Sequence, residues 1–347
     1  MSKKVLTDSK KGNLEQKIIQ EIKQGDFSVE RALLIASGLT NENQINVYIK
    51  KIEITVTDFK KFLEKRNITN NGNQNYQIAK TLFEYLQKDN LNRYNNDPLL
   101  TNVIDNQLSK NKKVGNCNGL TSLYTVLGLR LGLNLSVLFN DYHILTLLEK
   151  KVLIDHVNPR GFDISFRNYS DFKKGDLVFL ISATYNHRGT AKKDLGDFEG
   201  AIADCDKAIE INSKSASAYY NRSINKASLG NFEGAIADCD KAIELNPKPA
   251  YYTIRGNAKN CLGDLEGAIA DQDKAIELDP EYAYAYNNRG IAKKDSGDFE
   301  GAIADYSKAI ELNQKDANSY YNRSNARLLK HDFIGMVKDF FKYLKLK

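Results

Sequence analysis

Gly297-Asp298-Phe299-Glu300-Gly301-Ala302-Ile303-Ala304-Asp305 decides the fold of the second half of this 347-residue chain. The same string stands at Gly196. With one change each it recurs at Gly230 (Asn for Asp) and Gly263 (Leu for Phe), and a degraded copy, His-Asp-Phe-Ile-Gly, begins at His331. Successive copies lie 34, 33, 34 and 34 residues apart. A fixed period of this length means stacked helical units, each burying its apolar face only against its neighbours. Every unit has a first helix carrying a tyrosine (Tyr185, Tyr219, Tyr252, Tyr286, Tyr320), and the repeated string opens the second. Pro247 and Pro280 punctuate helix ends, since proline cannot continue a helix.

Period and pattern resemble the tetratricopeptide repeat over nearly all of 182–347, which implies a solenoid with a concave groove that binds protein. One position is arginine in all five units: Arg188, Arg222, Arg255, Arg289 and Arg323. An aspartate follows sixteen residues later in each: Asp204, Asp238, Asp271, Asp305 and Asp339. Helical spacing puts the arginine on the stripe facing the second helix, so the expectation is a structural Arg–Asp pair, not a basic ladder for a ligand. The groove should carry the residue after each tyrosine and the one four further on. These include Tyr220, Thr253, Asn257, Asn287, Tyr321 and Asn325, a mostly uncharged lining suited to a peptide. Cys205 and Cys239 occupy equivalent second-helix positions and read as structural. The fifth unit departs from its siblings, with Phe341 where they carry Asp206, Asp240, Asp273 and Ser307. That change at a polar, solvent-facing position predicts either a cap or a self-association or partner surface.

Upstream, Gly115-Asn116-Cys117-Asn118-Gly119 precedes a helix-like run to Leu131. Strand-like runs follow at Leu135–Phe139, His143–Leu148 and Val152–Asp155. A thiol nucleophile needs a base to ionise it and a carboxylate to orient that base; Cys117, His143 and Asp155 supply the three types in order. A three-residue turn at Leu148-Glu149-Lys150 would pair Leu147 with Lys151 and set His143 opposite Asp155, while a two-residue turn would present His156 instead. Cys117 at a helix start would have its pKa lowered there. Its own amide, with Asn116 or Asn118, would hold an oxyanion. A zinc site of Cys117, His143 and His156 lacks a clear fourth ligand, so no metal or cofactor is expected.

Net charge is +6, with the excess in residues 1–181. Its lysine pairs, such as Lys50-Lys51 and Lys112-Lys113, have no interleaved aromatics and argue against a nucleic-acid groove. No apolar run reaches the roughly 18 residues of a membrane span, the start lacks a signal-peptide core, and four scattered cysteines show no disulfide framework. The expected setting is the cytoplasm. Helices are predicted over 14–22, 31–36 behind Ser28, 44–65 and 76–87, with Asn168–Gly175 as the boundary.

The 115–161 segment resembles the transglutaminase-like superfamily, a papain-like cysteine fold, and within it the SirB1-type proteins that join such a domain to tetratricopeptide repeats. The residues that carry this are Cys117, Leu131-Gly132, His143, Asp155 and Asn158-Pro159-Arg160-Gly161. The resemblance implies an α+β domain at 1–170, core about 98–165, ahead of an all-α array of five repeats at 180–347. It also implies a cysteine hydrolase or acyltransferase acting on protein or peptide amides. The alternative is a non-enzymatic adaptor in which this fold only binds.

Overall fold

A computed structural model describes residues 14–66, 74–87, 117–139, 144–148, 152–154, 173–175 and 177–347. The chain forms two compact units. One is Met1–Leu195 with Ala203–Ser213, the other Gly196–Ile202 with Lys214–Lys347.

The first unit begins with helices α1 (14–24), α2 (Val29–Ala36), α3 (Glu42–Lys65) and α4 (Gln74–Gln87). Ser28 caps α2 by accepting from the Arg31 amide at 3.3 Å. Asn41 caps α3 through Gln44 at 2.9 Å. The alternating Ile52–Thr57 stretch is helical throughout. Ile52, Thr55, Val56, Phe59 and Leu63 are the buried set, and that spacing is one helical face.

Helix α5 (Cys117–Arg130) is the hub. It packs on α2, α3, α4, on strands β1 (Leu135–Phe139) and β2 (Ile144–Leu148), and on helix α6 (Leu177–Asp194). It is accordingly buried on every side over residues 121–128. The Tyr124 hydroxyl donates to the Ala79 carbonyl at 2.8 Å, and Arg130 grips Glu30 through two bonds of 2.7 and 2.5 Å. With β3 (Val152–Ile154) and β4 (Lys173–Gly175) the strands form an antiparallel sheet in the order β3-β2-β1-β4.

Two expectations need correction. The β2–β3 register pairs Leu148 with Val152, Leu147 with Leu153 and Thr146 with Ile154, not Leu147 with Lys151. This register sets Leu148 and Leu147 against the apolar Val152 and Leu153. The Asn168–Gly175 stretch is not a linker over its last three residues, because β4 pairs with β1.

The compact division also falls later than the sequence suggests, inside the first repeat, α6 and α7 (Phe198–Ile211). The cause is a buried charge cluster. The Arg188 guanidinium donates to Asp204 at 2.8 and 2.6 Å, to Glu15 of α1 at 3.0 Å and to the Ile35 carbonyl of α2 at 3.2 Å. Lys207 also pairs with Glu15, and Lys192 reaches Asp204 at 2.8 Å. The Arg188, Glu15 and Asp204 side chains are only 8, 5 and 0% exposed, so the cluster stands or falls as a set.

The second unit stacks α8 (Ala216–Ser228) and α9 (Phe232–Leu245), α10 (Pro249–Cys261) and α11 (Leu265–Leu278), α12 (Ala283–Asp295) and α13 (Phe299–Leu312), then α14 (Ala317–Leu329) and α15 (Phe333–Leu346). The repeated string explains each pair. Gly297, at φ +89°, ends α12 in the left-handed region, and Asp298 caps α13 by accepting from the Gly301 amide at 2.9 Å. Buried alanines such as Ala235, Ala268 and Ala302 let the helices approach closely. The size of one second-helix residue follows its neighbour. A Cβ on Gly290 would lie 2.7 Å from the Tyr306 ring, and one on Gly256 would lie 2.6 Å from Gln272 Nε2.

Replacing Glu15 by Ala is expected to destabilise the first unit by about 2–4 kcal/mol, leaving Lys207 with only Asp204 at 3.9 Å and part of Arg188 unpaired. Denaturant melts of the full chain measure this, and a loss under about 0.5 kcal/mol contradicts the cluster's role. A second expectation concerns pH. Burial lowers the His187 pKa to about 4, and its Nδ1 has no hydrogen-bond partner. The unfolded state then takes up the proton first, so stability is lost as pH falls from about 6.5 to about 4. The loss is roughly 3 kcal/mol, and His187→Gln should flatten that part of the pH–stability curve.

Candidate functional site

First helices α8, α10, α12 and α14 adjoin one another in sequence order, and their shared face is the candidate groove. Tyr220 is half-buried with its ring 4.8 Å from Tyr251. Asn257 and Asn325 are half-buried, and Asn257 Oδ1 accepts from Gln272 Nε2 at 3.3 Å. Tyr321 is 42% exposed with its ring 5.2 Å from Tyr343. Thr253 and Asn287 are different: they are 4 and 9% exposed and have little surface to offer a ligand. Asn287 Oδ1 accepts from Ser319 at 3.2 Å and Asn322 at 3.0 Å, so it ties its repeat to the next.

Positive charge is withdrawn from this face, as the spacing predicts. Arg222–Asp238, Arg255–Asp271, Arg289–Asp305 and Arg323–Asp339 are all two-bond pairs between 2.5 and 3.0 Å. The basic residue four further on joins each aspartate: Lys226 at 2.8 Å, Lys259 and Lys293 at 2.9 Å, Arg327 at 2.9 Å.

Sequence reasoning missed the third bond. Arg255 also reaches Asp240 at 2.6 Å, Arg289 reaches Asp273 at 2.6 Å, and Arg323 reaches the Ser307 hydroxyl at 2.9 Å. These acceptors sit on the preceding repeat's second helix. The residues taken as idle polar surface are therefore the ties between repeats. Their own periodicity, two residues after each buried aspartate and 15 or 16 before the next unit's arginine, was the available signal.

Of the cysteine site, Cys117 and Asn118 lie in the first turn of α5. Asn116, His143, Asp155 and His156 lie outside the described residues. Cys205 and Cys239 are fully buried, and burial pushes the Cys239 thiol up to about 11, while Cys261 is exposed. No group of three or more metal-ligating side chains occurs among the described residues. No described helix is long and apolar enough to cross a membrane.

Family models agree with the helix pairs. Models described as tetratricopeptide repeat match residues 182–215 and 216–249, and one described as TPR repeat matches 256–295 and 292–330. The C-terminal region is a tetratricopeptide-repeat array, a protein-binding solenoid. Comparison with curated proteins returned no match. Among solved structures, MamA is 26% identical, covering 46% of this chain and 93% of its own, with a TM-score of 0.40. TTC0263, a thermophilic TPR protein of Thermus thermophilus, is 19% identical, covering 48 and 91%, with a TM-score of 0.44. YrrB, described as a TPR protein with an unusual peptide-binding site, is 19% identical, covering 48 and 86%, with a TM-score of 0.38.

Arg255→Ala is expected to cost about 2–3 kcal/mol of stability, because Asp271 is left with Lys259 alone. Arg255→Lys should recover only part, since an ammonium cannot span two carboxylates in fork geometry. A change below about 0.5 kcal/mol in denaturant melts would instead free the arginines for a ligand.

Proposed function

We propose that the chain is a protein-binding scaffold whose repeats hold an uncharged peptide segment. One observation carries the reading: every arginine and lysine of the first-helix ladder in the second unit is consumed by a buried aspartate. What remains around Tyr220, Asn257, Tyr321 and Asn325 is aromatic and amide surface, which stacks on and hydrogen-bonds to a backbone without selecting for charge. A photo-crosslinker placed at Asn257 or Asn325 of the full chain should give discrete protein adducts. One at Lys241, on an exposed second-helix position, should not. Adduct yield should survive about 0.5 M salt, where surface charge pairs are screened. Equal labelling from Lys241, or loss of adducts in salt, defeats the proposal.

A second function rests on the head of α5. Cys117 would be a nucleophile, His143 the base and then acid, and Asp155 its orienter. The Cys117 amide, with Asn116 or Asn118, would receive the oxyanion. The supporting fact is that Cys117 is the first residue of the hub helix, where free amides and the helix dipole stabilise a thiolate. In addition, β2 and β3 are adjacent strands, in a register other than the one that would set His143 directly opposite Asp155; in sequence His143 immediately precedes β2 and Asp155 immediately follows β3. This is the residue order of the transglutaminase-like superfamily, and the chemistry would be hydrolysis or acyl transfer at a protein amide. Alkylation profiling at about pH 6 is the test, because only a thiolate reacts. Cys117 should label faster than exposed Cys261, and His143→Ala should abolish the difference. Labelling no faster than Cys261 removes the enzyme reading and leaves the scaffold.

A further inference from the structure

Helix α15 lies against α14 and keeps the intra-repeat bonds of Arg323 and Arg327 to Asp339. It breaks its siblings' pattern at Ile334, Lys338 and Phe341, which stand where α13 has Glu300, Ala304 and Ser307. Phe333, Ile334, Val337, Phe340, Phe341 and Leu344 are 40–87% exposed. In α13 the equivalents of Val337, Phe340, Phe341 and Leu344 are Ile303, Tyr306, Ser307 and Ile310. That is the face on which α14 packs, with Ser307 receiving Arg323 at 2.9 Å. Tyr306 also fills the space left by Gly290, whereas in the last unit the position of Gly290 is Ser324 and Phe340 stays 40% exposed. The α15 face is thus helix-receiving in position, yet Phe341 removes the acceptor that a repeat's arginine requires.

Charge narrows the occupant. The sibling helices close on Lys–Glu pairs, Lys241–Glu244 at 2.8 Å, Lys274–Glu277 at 2.8 Å and Lys308–Glu311 at 2.7 Å. In α15 the same two positions are Lys342 and Lys345, and Lys338 replaces an alanine. These three lysines lie one residue on from Val337, Phe341 and Leu344, so they edge the apolar stripe. Glu300 of α13 corresponds to Ile334, and the acid within α15, Asp339, is buried against its arginines. A second copy of α15 would offer these lysines no free acid, since Asp339 is paired with Arg323, and a further repeat would bury an unanswered arginine.

We propose that the α15 face docks an amphipathic helix of a partner protein, with an apolar stripe edged by aspartate or glutamate. It is a surface separate from the first-helix groove and does not rest on the reading of that groove. Helix-in-groove recognition reads i, i+3, i+4, i+7 anchors in this way, and the acidic edge would supply the anions that the sibling helices carry in themselves.

The test uses the full chain and two labelled helical peptides sharing a leucine stripe, one edged with glutamates and one with lysines, followed by fluorescence anisotropy. The glutamate peptide should bind at least about ten-fold tighter. Phe341→Asp should weaken it about ten-fold, and Lys342→Glu with Lys345→Glu should reverse the preference. Phe341 is 65% exposed, so circular dichroism of Phe341→Asp should match the parent. Binding of neither peptide, equal binding of both, or indifference to Phe341→Asp overturns the proposal. So does a concentration-dependent mass in light scattering that Phe341→Asp abolishes, which would give the face to a second copy.

Discussion

A guanidinium shared between carboxylates on two elements is the interaction on which this molecule depends. Within a repeat, the two-bond fork to the second-helix aspartate fixes the angle between the helices. The remaining donor goes to the preceding element, Asp240, Asp273 or Ser307. At Arg188 the same donor set is answered by Glu15 and the Ile35 carbonyl. Helices α1 and α2 therefore give Arg188 what a preceding repeat gives Arg255, which is why the first compact unit holds these residues together. At α15 the acceptor position is Phe341, and the chain of ties stops.

That arrangement has a functional cost and a functional return. If the first-helix face is the binding groove proposed above, burying four basic pairs of each kind shifts its specificity to shape, stacking and amide hydrogen bonds. It also leaves repeat geometry insensitive to the ligand's charge. The cysteine helix follows a different logic. α5 is buried over residues 121–128, and a packed helix of that kind is the rigid support that the proposed nucleophile would need.

Much of this was legible in sequence because the signals repeat. The 33–34-residue period, the capping aspartates and the Arg–Asp spacing each recur, and the folded chain realises them. The inter-repeat tie was not read, since an aspartate one residue beyond a buried cysteine looks like solvated surface until the neighbouring unit is in place. Thr253 and Asn287 were read as groove lining because one helical face can serve both ligand and next repeat; their short side chains are taken up by packing. The β2–β3 register was misjudged by two residues for a similar reason. Turn length alone does not fix a register; the matching of Leu147 and Leu148 with Leu153 and Val152 does.

A double-mutant cycle between Asp240 and Arg255, run by denaturant unfolding of the full chain, tests the shared-guanidinium account most directly. Asp240→Ala, Arg255→Ala and the pair should give a coupling energy of about 0.5–1 kcal/mol across the repeat boundary, the range for a partly exposed charged contact. Effects that add within about 0.3 kcal/mol would show that the repeats are held by apolar packing alone and contradict the account.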